Sequence, residues 1–510
     1  MNTTPHHTTL IIFLATFIIQ LGSYAQNETL TRVNEGASWK SDEVSANVRA
    51  KRTSSMPIQT GVYTTVTYSS EDYDVNGNFD HTTGIFTPPE AGYYVIMASL
   101  NWTDNNSSPI TNDGIRSIIL VKNGTTEVDR NDEVGRGWMH SSLHTVIESD
   151  GTDNYQIQAW QNSGSNHDID GHITTDRTIF TAFKLRSREE YLTQINGGAS
   201  WGGKRTCIKA KNSSGIPISN GSTPETVTYS TEEFDLNNDF DESTGIFTPP
   251  KAGYYVIMAT ANWQSTNTTL GERSILLLRN DGSTNPSTNT IMEENSEIGS
   301  NIMTSSLHTI IESNGSDNYR IQVRQNSGID HDIGDASGVE ATTFVAYNIS
   351  DQDMVLKKES GGASWKANNA SGQTCVRAKR TSNLTTTSNI LSTVTSTDED
   401  FDVNGDYDHT TGVFTPPAAG RYVIMATVNW QTGNSVAGRR NLKLVKNLTN
   451  NIEDATELGS SEMTSSLHTV IESDGTDNYR VRASQTTGLS QDIGGTTLVP
   501  GCIFTAYRLD

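Results

Sequence analysis

The chain has 510 residues, 34% of them hydrophobic and 19% charged, and a formal net charge of −23. A surface that acidic repels nucleic acid and anionic lipid, which excludes a nucleic-acid-binding role and a membrane-surface role driven by charge. After residue 25 no stretch approaches the roughly 18 consecutive apolar residues that a membrane-spanning helix needs.

The first 25 residues differ from the rest. Leu10 to Ile19 reads LIIFLATFII, and Ser23-Tyr24-Ala25 puts small residues at the −3 and −1 positions of a cleavage site, so residues 1–25 are expected to be a signal peptide and the protein to be secreted. The alternative is an uncleaved anchor, because no Lys or Arg precedes the apolar run. Asn-x-Ser/Thr acceptors at Asn27, Asn101, Asn105, Asn106, Asn123, Asn212, Asn220, Asn267, Asn314, Asn348, Asn369, Asn383 and Asn447 fit a glycosylated extracellular surface.

The rest is one unit written three times. FDHTTGIFTPPEAGYYVIMASLNW starts at Phe79, FDESTGIFTPPKAGYYVIMATANW at Phe240 and YDHTTGVFTPPAAGRYVIMATVNW at Tyr407. The phrase GASW recurs around Trp39, Trp201 and Trp365, and SSLHT at Ser141, Ser305 and Ser465. A period near 160 residues is too long for a solenoid repeat of about 20–50 and suits a domain with its own core. Three domains are therefore expected, over 26–187, 188–351 and 352–510.

In chain order the first copy offers GVYTTVTY, YYVIMASLNW, RSIILVKNG, SSLHTVIES, NYQIQAWQ and TIFTAFKL, rich in β-branched and aromatic residues and separated by Gly, Pro, Asn, Asp and Ser. No window of a dozen residues keeps a helical period, so an all-β antiparallel sandwich or barrel is predicted. Pro88-Pro89 ends the strand carrying Phe86, and Gly92 lets the chain turn into the run from Tyr93. Asn76-Gly77 and Asn404-Gly405 are type I′ turn candidates, and Asn123-Gly124 follows a strand at a tip.

The spacing Asp74, Phe79, Phe86, Gly92, Tyr94 repeats as Asp235, Phe240, Phe247, Gly253, Tyr255 and as Asp402, Tyr407, Phe414, Gly420, Tyr422. It resembles the signature of the complement C1q-type globular head, part of the C1q and tumour-necrosis-factor jelly-roll superfamily. An LVKNG-like strand and a closing F-T-A-Y/F strand (Phe180, Phe344 and Phe504 onward) extend the likeness over nearly all of residues 36–510. The chain departs from the pattern at Ser396, where an aromatic is expected, and at Ile96, Ile257 and Ile424, which replace aromatics. It also has no Gly-X-Y collagen stem. The resemblance implies three tandem jelly-roll sandwiches, with first and last strands side by side in each. It further implies three heads around an axis, here supplied by one chain as an intrachain pseudo-trimer, with beads on a string as the rival. Segments near 186–206 and 350–373 would be the links between heads.

Four kinds of residue could carry chemistry. The acidic turns Asp74, Asn76, Asn78, Asp80; Asp235, Asn237, Asp239, Asp241; and Asp402, Asn404, Asp406, Asp408 have the oxygen density of calcium loops, but lack the Gly and bidentate Glu of an EF-hand, and a structural turn is the competing reading. His144, His308 and His468 recur once per domain with no second ligand at metal spacing, and would meet only if the heads cluster with these strands inward. Tryptophans at repeated positions read as core, whereas Trp138 and Trp160 occur only in the first copy and suit a ligand contact. If first and last strands are neighbours, Cys375 and Cys502 would pair and leave Cys207 free or bridging two chains; three buried thiols is the alternative. No nucleophile elbow, zinc-protease helix or phosphate loop is present, so no enzymatic activity is expected.

What the resemblance implies is a secreted recognition protein binding carbohydrate, microbial-surface ligands or extracellular glycoproteins multivalently, through loops that differ among copies at 103–114, 264–272 and 431–438. Two alternatives stand beside it: a structural or adhesive matrix or mucus protein, and a cytokine-like receptor ligand. Further oligomerisation of the chain is open.

Overall fold

The computed structural model describes residues 28–33, 36–41, 46–103, 114–135, 139–170, 178–186, 190–195, 198–202, 206–212, 214–264, 270–280, 289–299, 302–334, 342–349, 354–359, 362–367, 374–431, 436–459, 462–496 and 499–509. All regular structure among them is β, and no helix is long and apolar enough to cross a membrane. The signal-peptide segment 1–25, Asn27, Asn105, Asn106, Asn267, Asn369 and Trp138 lie outside the described residues, as does part of each variable loop.

The chain divides into two compact units. One gathers three hairpins, Glu28–Val33 with Gly36–Ser41, Glu190–Ile195 with Gly198–Gly202, and Met354–Glu359 with Gly362–Ala367. Their first strands pair with one another, Thr31 opposite Tyr191, Glu28 opposite Lys358 and Thr193 opposite Val355, so all six strands form one sheet. This corrects the reading of 186–206 and 350–373 as links. A lone two-stranded hairpin is marginal, and these find their partners about 160 residues away in the next copy, beyond any local sequence signal.

The other unit holds the three heads, each a sandwich of two antiparallel sheets. In the first head one sheet runs Met56–Ile58, His167–Ile169, Ala91–Thr103, Ile179–Arg186, Asn47–Lys51, Ser70–Asp74, with Met139–Asp150 also paired to Ala91–Thr103. The facing sheet is built on Thr126–Gly135, Gly114–Lys122 and Tyr155–Gln161. Both later heads repeat this order. First and last strands are neighbours, as the resemblance implied: Val48 lies opposite Ala182, Ile208 opposite Ala346 and Val376 opposite Ala506.

Each head has its own core, and a fourth core joins the heads. Along Ala91–Thr103 the side chains alternate: Tyr94, Ile96, Ala98, Leu100 and Trp102 enter the first head's core, while Tyr93, Val95 and Met97 join a cluster with Val256, Met258, Val423 and Met425 of the other heads. That double burial explains why the strand reads YYVIMASLNW rather than as alternating apolar and polar residues. Trp102, Trp263 and Trp430 close the head cores and donate from Nε1 to the hydroxyls of Ser141, Ser305 and Ser465 at 3.0, 2.9 and 3.0 Å.

The turn after each acidic segment depends on glycine. Gly84, Gly245 and Gly412 take φ of +73°, +68° and +68°, and a β-carbon there would stand 2.1, 2.1 and 2.6 Å from the carbonyl oxygens of Val66, Val227 and Val394. Asn123 and Gly124 both take positive φ, the signature of a type I′ turn; at Asn76-Gly77 and Asn404-Gly405 only the glycine does, so these two are not type I′.

The Cys375–Cys502 pairing is corrected. Cys375 lies opposite Tyr507 and Cys502 opposite Arg380, at the two ends of one strand pair. Five residues of strand separate them by about 16 Å, far beyond the roughly 7 Å a disulfide can span. Cys207, Cys375 and Cys502 are all buried thiols, and burial pushes the Cys502 thiol up to about 12. A thiol reagent at neutral pH is therefore expected to label none of the three in the folded protein and all three after denaturation. Rapid labelling of the native chain would contradict this packing.

Candidate functional site

The oxygens named for calcium are turned toward their own backbone. Asp74 accepts from the N–H groups of Asn78 and Phe79 at 3.1 and 2.9 Å, Asp235 from Asn237 and Phe240 at 3.1 and 2.8 Å, and Asp402 from Asp406 and Tyr407 at 3.0 and 2.8 Å. Asp80 accepts from the N–H and hydroxyl of Thr82 at 2.9 and 2.6 Å. Asp239 and Asp406 each accept from a threonine hydroxyl, Thr206 and Thr374, at 2.7 Å. Asn237 donates to Asp239 at 3.3 Å, while Asn76 and Asn404 sit in the same turns. Among the described residues the acidic turns supply no group of three His, Cys, Asp or Glu side chains close enough to hold one ion; the three repeated histidines do.

Two sequons are corrected as glycan sites. Asn101 is fully buried where the first head meets the third, its amide donating to the carbonyl of Asp454 at 2.6 Å. Asn212 is 3% exposed and donates to the carbonyl of Thr228 at 3.2 Å. A glycan needs its amide nitrogen in solvent. Asn123, Asn220, Asn314, Asn383 and Asn447 are exposed and Asn348 is half-buried.

The heads close on one another in a ring of contacts. Val134 donates its N–H to the carbonyl of Ile302 at 3.2 Å, Ile298 to that of Glu462 at 3.4 Å, and Thr456 to Asn101 Oδ1 at 3.3 Å, so first meets second, second meets third and third meets first. At each seam lies a groove, and the three differ in size. The one between first and third heads, lined by Arg49, Lys51, Asp72 and Lys446, has a volume of 660 Å³, against 270 Å³ between first and second and 180 Å³ between second and third.

Two triads lie where the heads converge. His144, His308 and His468 stand with ring centroids 5.2, 5.2 and 5.4 Å apart, each 2–4% exposed. Burial first, then neighbouring imidazoles, holds His144 well below its usual range; burial lowers His308 to about 3 and His468 to about 4. Glu133, Glu297 and Glu457 form the second triad. They lie directly opposite Arg116, Arg273 and Arg440 across the strand pair, and those arginines stack over Trp102, Trp263 and Trp430 at 5.9, 5.8 and 5.9 Å. Burial, then repulsion from the other two glutamates, raises Glu457 well above the carboxylate range, and burial lifts Glu297 to about 8.

An exposed aromatic platform belongs to the first head alone. Tyr63, 53% exposed, stacks on Trp160 with ring centroids 5.9 Å apart and planes 27° apart, and the Arg130 guanidinium lies 5.7 Å from the Trp160 ring. Arg130 donates to Asp132 at 2.6 Å and to the Ser117 hydroxyl at 3.0 Å. Burial works against its charge, but Asp132, Tyr63 and Glu127 together outweigh burial and hold it ionised. At the same register in the other heads Trp160 is replaced by Arg324, which pairs with Glu294 at 2.6 Å, and by Ser484. The sequence pointed to Trp160 as unrepeated. It gave no sign of Tyr63 or Arg130, because their meeting depends on strand pairing across the outer sheet.

No family model and no curated protein matches the chain. Among solved structures, one similar chain is the globular domain of zebrafish complement 1qA protein, 16% identical over 27% of this chain and 98% of that one, with a TM-score of 0.21. The class that the fold itself defines is three tandem β-sandwich heads in one chain, joined through a shared apolar cluster.

Proposed function

We propose that the protein is a secreted, lectin-like recognition protein whose primary carbohydrate contact is the Tyr63–Trp160 platform of the first head. The observation that carries this reading is a stacked aromatic pair, exposed Tyr63 on half-buried Trp160, flanked by a charged guanidinium. The apolar face of a sugar ring packs on aromatic rings, and a fixed guanidinium supplies donors to hydroxyl, carboxylate or sulfate groups. The seam grooves and the variable loops at 103–114, 264–272 and 431–438 offer further, unlike contacts. The protein would bind one branched or clustered glycan, microbial or host, through several weak contacts at once, and linkage multiplies such contacts without needing a strong one. A signal peptide over residues 1–25 and glycans on exposed sequons complete the proposed extracellular setting.

A glycan array with the full chain tests this. Trp160→Ala is expected to lose at least about fivefold in affinity, since an aromatic pair contributes on the order of 1 kcal/mol beyond area. Arg324→Ala in the second head is expected to leave the same sugar bound. Absence of any glycan signal, or an unchanged profile for Trp160→Ala, would remove the proposal. In that case calcium-dependent self-association would favour an adhesive role, and capture of a cell-surface receptor a cytokine-like one.

A further inference from the structure

We propose that His144, His308 and His468, brought together from three heads of one chain, form a binding site for a late first-row divalent transition metal, with zinc the best fit. Each histidine offers one ring nitrogen, and the three nitrogens lie within 4.8 Å of one another. Donors at the corners of such a triangle stand no more than about 2.8 Å from its centre, against about 2.0–2.1 Å for a zinc–imidazole bond. An inward movement of under about 1 Å per ring completes the coordination. The rings already stand edge to face, with interplanar angles of 77°, 82° and 78°, which directs their edges rather than their faces at one another.

A second observation points the same way. All three side chains are buried, and none of their six ring nitrogens makes a hydrogen bond of ordinary distance and angle among the described residues. Buried polar atoms are normally well paired, and ring nitrogens from three separate strands that converge on one point without such bonds are available to a metal ion. The backbone of Leu307 lies beside His144, that of Leu467 beside His308 and that of Leu143 beside His468. A metal-bound imidazole usually turns its other nitrogen to such a carbonyl, and here each carbonyl comes from the neighbouring head.

The donor set decides the ion. Neutral imidazole suits zinc, copper, nickel and iron, whereas calcium and magnesium prefer oxygen ligands to imidazole nitrogen. Three ligands leave a fourth position for water or an anion. Because each head gives one ligand, the ion binds only the assembled unit and would staple segments lying about 160 residues apart in sequence.

The full chain is purified without chelator from zinc-supplemented medium, and a second sample is refolded from denaturant with zinc, since the site is enclosed. Metal analysis after dialysis is expected to find one zinc per chain, unaffected by excess calcium or magnesium, with a thermal midpoint that falls on chelation. His308→Phe, a change of similar volume, is expected to weaken zinc binding by more than about a hundredfold, since loss of an outer-shell partner alone costs about 10–100-fold. Should that variant fail to fold, X-ray absorption of the zinc-loaded parent decides: three imidazole nitrogens in the first shell support the site, and oxygen-only ligation overturns it. Loss of all zinc on dialysis in both preparations, or equal retention by folded His308→Phe, also overturns it.

Discussion

Arg377→Ala is expected to lower stability by about 3 kcal/mol and to uncouple the third head from the second. The Arg377 side chain is 1% exposed and forms a buried ion pair with Asp400 of its own head. Its Nε donates to the Thr309 hydroxyl at 3.1 Å and its Nη2 to the Met292 carbonyl at 2.5 Å, both in the second head. Burial pulls the guanidinium down to about 10, so it stays charged at neutral pH. Removing one partner of a buried pair costs about 3–5 kcal/mol when the other is left uncompensated; Asp400 is 20% exposed and keeps Lys379 as a second partner, which places the effect at the lower end. Arg49 repeats the arrangement between first and third heads, reaching Thr469 at 3.2 Å and the Ile452 carbonyl at 2.8 Å. In urea the variant is expected to show a separate, earlier transition for the third head. A single unfolding curve with an unmoved midpoint would show that the guanidinium does not hold the heads together.

The second large effect is on pH. Glu133, Glu297 and Glu457 are partly exposed, yet burial raises all three, Glu297 to about 8, and repulsion from neighbouring glutamates adds to it at Glu133 and Glu457. The charged groups facing them are Asp132 and Arg116 at Glu133, Arg273 at Glu297 and Arg440 at Glu457. A carboxyl whose folded pKa exceeds its unfolded value binds more protons when folded, so its contribution is full below about 4.5 and is lost as pH rises through about 8. Stability should fall between pH 6.5 and 8.5, by less than about 1.4 kcal/mol per pH unit for each carboxyl after solvent screening. Below 6.5 the buried histidines act with opposite sign: their folded pKa values are depressed, so unfolding takes up protons and stability falls as pH drops, which is why the test stays above that point. The triple variant Glu133→Gln, Glu297→Gln, Glu457→Gln should unfold at a higher midpoint than the parent at pH 8.5 and show a flatter profile. Glu293 and Glu462, raised to about 7 mainly by burial, leave a residual slope. An equally steep profile in parent and variant would mean that the three carboxyls do not repel one another in the folded chain.

Much of the fold was legible because its causes are local. The strands and the Pro-Pro stop follow from residue type and alternation within a dozen positions, and threefold repetition made each reading three times over, whereas the turn type at Asn76-Gly77 and Asn404-Gly405 and the turn at Gly92, which lies inside the strand Ala91–Thr103, were misread. YYVIMASLNW even carried a sign of clustering: a sandwich strand with one face in solvent would alternate, and this one does not. The hairpins around Trp39, Trp201 and Trp365 were not legible as a separate sheet, since each alone shows only a short run beside a glycine pair. The cysteine error came from register, because neighbouring strands were foreseen but not which ends of them carry the thiols.

What the sequence by itself determined is a β-sandwich repeated three times, because alternation, turn chemistry and repetition are written in neighbouring residues. What only the tertiary structure decided is which faces meet. Three histidines, three glutamates, and a tyrosine with a tryptophan become sites only when strands far apart in the chain are laid side by side, and the free energy of that packing is spread over the apolar cluster between the heads rather than encoded at any one of those positions.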